Sequence, residues 1–325
     1  MQLLRGASRR LSLLALTGVM AACMHSAPIP AADTDLTADI REDQQLRTET
    51  LYADYFPARA ASAGPGILLL GGSEGGLGSG ARRDALALRD HGYNVLQVSF
   101  YRAPGQLENL ERVPLETFDH ALAWLQDREE VEADHIGIYG TSKGAEAALI
   151  VASRHPEIAA IVAAVPSSVS WTGINWAFDG RPAEPSWSLN GEAYPAVPYG
   201  AWDPELGLYS LYANGLAGLD ADSPAIIPVE QTGAPMLLIC GGADMLWPSC
   251  DMSEQIRARA SERSDVTILA YPEAGHFVAG VPAEEPSEAE DSEYGGTTLS
   301  NYASQKDSWP KILDFLDDAL RNSGD

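Results

Sequence analysis

The stretch from His135 to Arg154 constrains this chain more than any other. An apolar run over 135–139 enters Gly140-Thr141-Ser142-Lys143-Gly144 and leaves at once into Ala145-Glu146-Ala147-Ala148-Leu149-Ile150, a strong helix former. A strand that becomes a helix across one glycine-flanked turn lifts the central side chain above the sheet edge. The glycines are required because side chains there would collide with neighbouring backbone.

The rest of the chain repeats the same unit. Ile67-Leu68-Leu69-Leu70, ended by Gly71-Gly72, reads as a buried strand, and 81–91 as a helix closed by Gly92. Strands are expected over 94–100, 158–165, 235–239 and 266–271, with helices over 114–128, 145–154 and 309–321. Such alternation predicts an α/β fold with a mostly parallel central sheet and helices on both faces. One α/β domain over 46–325 accommodates it. The segment 167–228 breaks the rhythm. It is rich in Pro, Gly, Tyr and Trp, including Trp171, Trp176, Trp187 and Trp202, and reads as a cap-like insertion that lines a pocket, or else as a packed excursion whose tryptophans fill its own small core.

A serine hydroxyl attacks a carbonyl only when a base is placed to take its proton. The G-x-S-x-G pattern occurs at 71–75 and at 140–144. Gly75, Gly76, Gly78 and Gly80 follow Ser73 and would melt a helix there, so Ser142 is the expected nucleophile. The 71–80 loop then fits an oxyanion hole. Its donor is the amide of Ser73 or Glu74, and the amide of Lys143 is the second. Ile239-Cys240-Gly241-Gly242-Ala243-Asp244 ends an apolar strand on a carboxylate at the serine's edge of the sheet, whereas neither Asp222 nor Asp251 directly follows a strand. His276, in a glycine-bearing loop past the last strand, alone among six histidines lies downstream of Asp244. His25, His91, His120, His135 and His155 each have an ordinary structural place. The order Ser, Asp, His is that of the α/β-hydrolase fold.

The net charge is −25, which repels phosphate backbones and excludes nucleic acid as a partner. No Cys/His spacing suits zinc, and neither metal nor cofactor is expected. The N-terminus has a basic end at Arg5, Arg9 and Arg10, an apolar stretch over 11–19 and small residues leading to Cys23. It reads as a signal peptide over 1–22 of lipoprotein type, with Cys23 acylated and 23–45 a tether. The expected location is outside the cytoplasm, periplasmic or anchored in a bacterial outer membrane, with membrane contact only through that lipid. Cys240 and Cys250 permit one disulfide, but two buried free thiols are expected in so large a core.

Several segments together resemble the C-terminal domain shared by acyl-CoA thioesterases and bile acid-CoA:amino acid N-acyltransferases, with dienelactone hydrolase a more distant relative. They are Gly71-Gly72-Ser73-Glu74-Gly75-Gly76, Gly140-Thr141-Ser142-Lys143-Gly144-Ala145-Glu146, Val165-Pro166-Ser167-Ser168, Leu246-Trp247-Pro248-Ser249-Cys250, Ala274-Gly275-His276 and Asp307-Ser308-Trp309-Pro310. The resemblance implies a serine hydrolase of small-molecule acyl esters or thioesters, working through an acyl-Ser142 intermediate with Asp244 and His276 as partners. It also implies water rather than an amine as acceptor, since the amino-acid transferases use cysteine. The N-terminal β-sandwich of the acyl-CoA members is expected to be absent. Two other readings remain open, acyl transfer to an amine or alcohol and a non-catalytic surface binding module. The acyl chain, the leaving group and the oligomeric state are not legible.

Overall fold

The computed structural model describes residues 45–59 and 62–322. The expected signal peptide, Cys23 and the tether through residue 44 lie outside them. The fold belongs to a unit of Glu42–Trp176 with Pro182–Asp325, and Ala177–Arg181 falls in a second, small unit.

The first half of the fold comprises β1 (Gln45–Arg47), β2 (Tyr52–Phe56), β3 (Gly64–Leu70), α1 (Ser79–Asp90), β4 (Asn94–Ser99), β5 (Val113–Pro114), α2 (Glu116–Gln126), β6 (Val131–Thr141) and α3 (Lys143–Arg154). There follow β7 (Ala160–Ala164), β8 (Trp187–Leu189), β9 (Glu192–Ala193), α4 (Leu208–Ala217), β10 (Met236–Gly241), α5 (Ser249–Ala260), β11 (Val266–Tyr271) and α6 (Thr298–Leu320). Eight strands form one sheet in the order β1-β2-β4-β3-β6-β7-β10-β11. From β4 to β11 the pairings are parallel, while β2 joins β4 and β1 joins β2 antiparallel. Strands β5, β8 and β9 make a separate small sheet.

The central strands are apolar on both faces because helices cover both. All of β7 and β10 and nearly all of β3 are buried. Helix α3 is buried from Lys143 to Ser153, which explains its run of alanines: a helix enclosed on every side has no room for bulk. Crossovers bring the C-terminal ends of β6, β10 and β11 to one edge, where the loops bearing Ser142, Asp244 and His276 emerge.

Helix α6 differs from the expected 309–321. It begins at Thr298 and runs through Pro310. Proline suits the first turn of a helix, hence the later expected start, but the true N-terminus is capped by Thr297, whose Oγ1 accepts from the Ser300 N–H at 3.1 Å. The inserted segment packs inward. Trp187 sits in the main core, 5.8 Å from Phe100 and 5.9 Å from Phe118 between ring centroids. Trp171 centres a smaller core with Val169, Val197, Tyr212, Ala225, Trp247 and Met252.

Cys240 and Cys250 are bridged rather than free, with Cα atoms 5.1 Å apart. The loop after β10 doubles back as α5 starts, which brings its two ends together. That closure is tertiary and leaves no trace in local sequence.

Candidate active site

Ser142 occupies the turn between β6 and α3 with φ 55° and ψ −120°, a conformation that costs a non-glycine residue about 1–3 kcal/mol. The turn is tight on both sides. A Cβ at Gly140 would come 2.2 Å from the Gly144 carbonyl oxygen, and one at Gly144 would come 2.1 Å from that of Gly71. The Ser142 N–H donates to the Ala164 carbonyl at 2.9 Å, which fastens the turn to the neighbouring strand β7.

Three sequence-predicted side chains meet here. Ser142 Oγ lies 2.9 Å from His276 Nε2, and His276 Nδ1 lies 3.0 Å from Asp244 Oδ2 and 3.2 Å from Oδ1. Because the Asp244 carboxylate only accepts, Nδ1 carries the imidazole proton and Nε2 is left to accept from the hydroxyl. All three are buried. Asp244 has three further donors: the Leu246 N–H at 2.9 Å and the Trp247 N–H at 3.3 Å to Oδ1, and the Ser249 hydroxyl at 2.8 Å to Oδ2.

The histidine is held with equal care. Its N–H donates to the Tyr294 carbonyl at 3.1 Å, and the preceding Gly275 N–H donates to Asn301 Oδ1 of α6 at 2.7 Å. The Trp247 ring meets the imidazole edge-on at 5.6 Å, and Tyr212 of α4 meets Trp247 at 5.4 Å. Trp171 stands behind Tyr212 at 4.9 Å. An aromatic row thus joins the inserted segment to His276.

The 71–80 loop lies against Ser142. A Cβ at Gly72 would sit 3.5 Å from Ser142 Cβ and 2.9 Å from Glu74 Oε2, so nucleophile and carboxylate flank the same glycine. Glu74 is exposed as a residue, yet its carboxylate folds back over Gly71, Gly72 and Gly78 and accepts from the Gly72 N–H at 3.0 Å. The crowding removes water and raises its carboxyl above the usual range, against the opposing pull of the Glu74 and Gly72 N–H groups. Tyr101 donates its hydroxyl to the Ser73 carbonyl, and its burial pushes the phenol up to about 12.

The side chain of Lys143 points away from the site. Its Nζ donates to Glu146 Oε2 at 2.9 Å and to Ser186 Oγ at 2.8 Å, wholly buried. Burial lowers its ammonium from the usual value, and the charge of Glu146 opposes the shift. Glu146 Oε1 also accepts from the Trp171 N–H at 2.9 Å and the Trp187 indole at 2.7 Å. Sequence reasoning missed Ser249, Asn301, Trp247 and this Glu146 hub. Among the described residues, no group of three His, Cys, Asp or Glu side chains is arranged to hold a metal ion.

The family model described as BAAT / acyl-CoA thioester hydrolase C terminal matches residues 113–322. The chain belongs to this family. Acyl-coenzyme A thioesterase 1 of Mus musculus is 28% identical over 216 residues, 66% of this chain and 48% of the relative. Acyl-coenzyme A amino acid N-acyltransferase 1 of the same organism is 27% identical over 268 residues, 80% of this chain and 61% of the relative. The chain therefore spans about half the length of these family relatives. Among solved structures, the α/β hydrolase GrgF of Penicillium sp. sh18 aligns with a TM-score of 0.52 at 16% identity, covering 83% of this chain and 94% of that one. A dienelactone hydrolase-like promiscuous phosphotriesterase from metagenomic libraries aligns with a TM-score of 0.51 at 13% identity, covering 83% and 93%. These likenesses fix the fold as that of the α/β hydrolases.

Proposed function

We propose that this BAAT/thioesterase family member hydrolyses acyl esters or thioesters through a covalent acyl-Ser142 intermediate. The observation that carries this is the continuous hydrogen-bond chain Ser142–His276–Asp244 at the sheet edge. Ser142 Oγ attacks the acyl carbonyl while His276 Nε2 takes its proton. Asp244 holds the ring by Nδ1 and stabilises the imidazolium. The same proton passes to the departing alkoxide or thiolate. A water, deprotonated in turn by His276, then releases the acid.

Two amides support the oxyanion in this scheme. Lys143 is the first residue of α3, so its N–H has no use in the helix's own ladder. On the loop side the Glu74 carboxylate already takes the Gly72 N–H, and the amide of Ser73 or Glu74 serves as the second donor. Apolar side chains rim the site. Met245, next to Asp244, is 41% exposed and Phe277, next to His276, 49%, and the Phe277 ring packs 5.7 Å from Tyr294. A rim of this kind suits an apolar acyl chain. Export with a lipid at Cys23 completes the reading and rests on the N-terminal sequence alone.

Ser142→Ala tests the proposal. Turnover of a p-nitrophenyl acyl ester should fall by at least about ten-thousandfold, with folding intact by circular dichroism. Full activity in that variant would overturn the assignment. Product analysis with an added amine separates hydrolysis from transfer.

A further inference from the structure

We propose that the Cys240–Cys250 disulfide and the Ser249 hydroxyl form a clasp that positions Asp244, so that reducing the bridge slows turnover while the fold persists. The inference rests on the triad reading above and extends it to a part of the molecule that reading does not use.

The geometry is local. Cys240 is the fifth of six residues in β10 and Cys250 the second of α5, so the bridge ties the end of a central strand to the start of the next helix. Asp244 lies in the loop between them. All of its hydrogen-bond donors other than His276 lie inside that closed ring, namely Leu246, Trp247 and Ser249. Ser249 adjoins Cys250, is fully buried, and its hydroxyl spans to the carboxylate oxygen that also faces Nδ1. Trp247, whose ring abuts the imidazole, belongs to the same ring of residues. The bridge thus fixes the carboxylate, its donors and the His276 wall as one body, which is what a proton relay needs from its supporting residues.

The site is also chemically reachable. Cys240 is wholly buried, but Cys250 is partly exposed. A dithiol reductant attacks the Cys250 sulfur and the S–S bond breaks. Cys240 leaves as a thiolate and takes up a proton. The second thiol of the reductant then attacks the mixed disulfide and frees Cys250. Two electrons pass to the protein, and the reductant closes into its own cyclic disulfide.

The test uses the full chain, assayed with p-nitrophenyl butyrate before and after dithiothreitol, with free thiols counted to show that the bridge has opened. Reduction should lower kcat roughly fivefold or more and leave KM within about twofold, with unchanged far-UV circular dichroism and recovery on reoxidation. Hydrogen exchange at the Leu246 and Trp247 amides should quicken at least about tenfold. Ser249→Ala, with the bridge intact, should lower kcat roughly tenfold, and Ser249→Thr should restore most of it. A fully reduced protein with wild-type kcat and unchanged exchange would overturn the proposal. So would global unfolding on reduction, which would make the bridge a general staple, or a Ser249→Ala variant with wild-type kcat. If the oxidised protein cleaves no ester, or Ser142→Ala remains active, the hydrolase reading fails instead, and exchange in the 241–249 loop still decides the clasp.

Discussion

Asp84 of α1 shows how one buried carboxyl ties stability to pH. Its Oδ1 accepts from the Val281 N–H at 2.8 Å, holding the chain just past His276, and Tyr139 approaches its Oδ2 at 3.5 Å. Burial pushes its carboxyl up to about 6, against the opposing effects of the Val281 N–H and the Arg83 charge. The folded value lies above the unfolded one of about 3.9, so the folded state holds this proton more tightly and its ionised form is penalised. Stability from this group is therefore present below pH 4 and lost as the pH climbs through 6. Asp84→Asn keeps an acceptor for Val281 without the charge. It should stabilise the protein by on the order of 2 kcal/mol at pH 8 and by nothing measurable near pH 4, in urea melts at the two values.

At the level of elements, the elbow helix α3 and the inserted segment are joined by a charged hub inside the core. Glu146 accepts from Lys143, from the backbone of Trp171 and from the indole of Trp187. Removing one member of a buried pair leaves the other charge without compensation. Glu146→Ala should therefore cost about 3–5 kcal/mol in chemical denaturation, far more than an alanine substitution at the exposed Glu205, and should loosen the inserted segment first, as proteolysis there would reveal. None of this was legible in the sequence. Lys143 and Glu146 could be read as members of a motif, yet the partners that use their side chains lie at 171–187, across a tertiary contact. The tryptophans were ambiguous for a related reason. Aromatic content fits a pocket lining or a packed core alike, and Trp171 and Trp187 point into cores. What periodicity does encode came through well: β11 matches its expected 266–271, and the strand–turn–helix around Ser142 stands where the glycines put it. The antiparallel strands β1 and β2 and helix α5 left too short or too mixed a pattern to notice.

Across the whole molecule the balance of charge is −25. A polyanion approaching such a surface is repelled, and salt weakens the repulsion. If acyl-CoA is turned over at all, its kcat/KM should rise roughly twofold to fivefold between about 20 and 200 mM salt. That of a neutral ester with the same acyl chain should stay flat; equal salt dependence for both would show that the surface charge does not govern encounter. Global architecture was largely legible because Ser142, Asp244 and His276 are set by three loops that each follow a recognisable strand. Their support was not, because Asn301 reaches the His276 loop across a tertiary contact, and nothing in the local pattern says that Ser249 turns toward Asp244 or that Cys240 and Cys250 pair. The left-handed backbone at Ser142 has its own consequence at this scale. The fold would be more comfortable with glycine at the position where the proposed chemistry needs a hydroxyl. If that proposal holds, a lineage released from the demand for turnover would gain stability by replacing Ser142, and inactive descendants of this chain are to be sought among the more heat-tolerant ones.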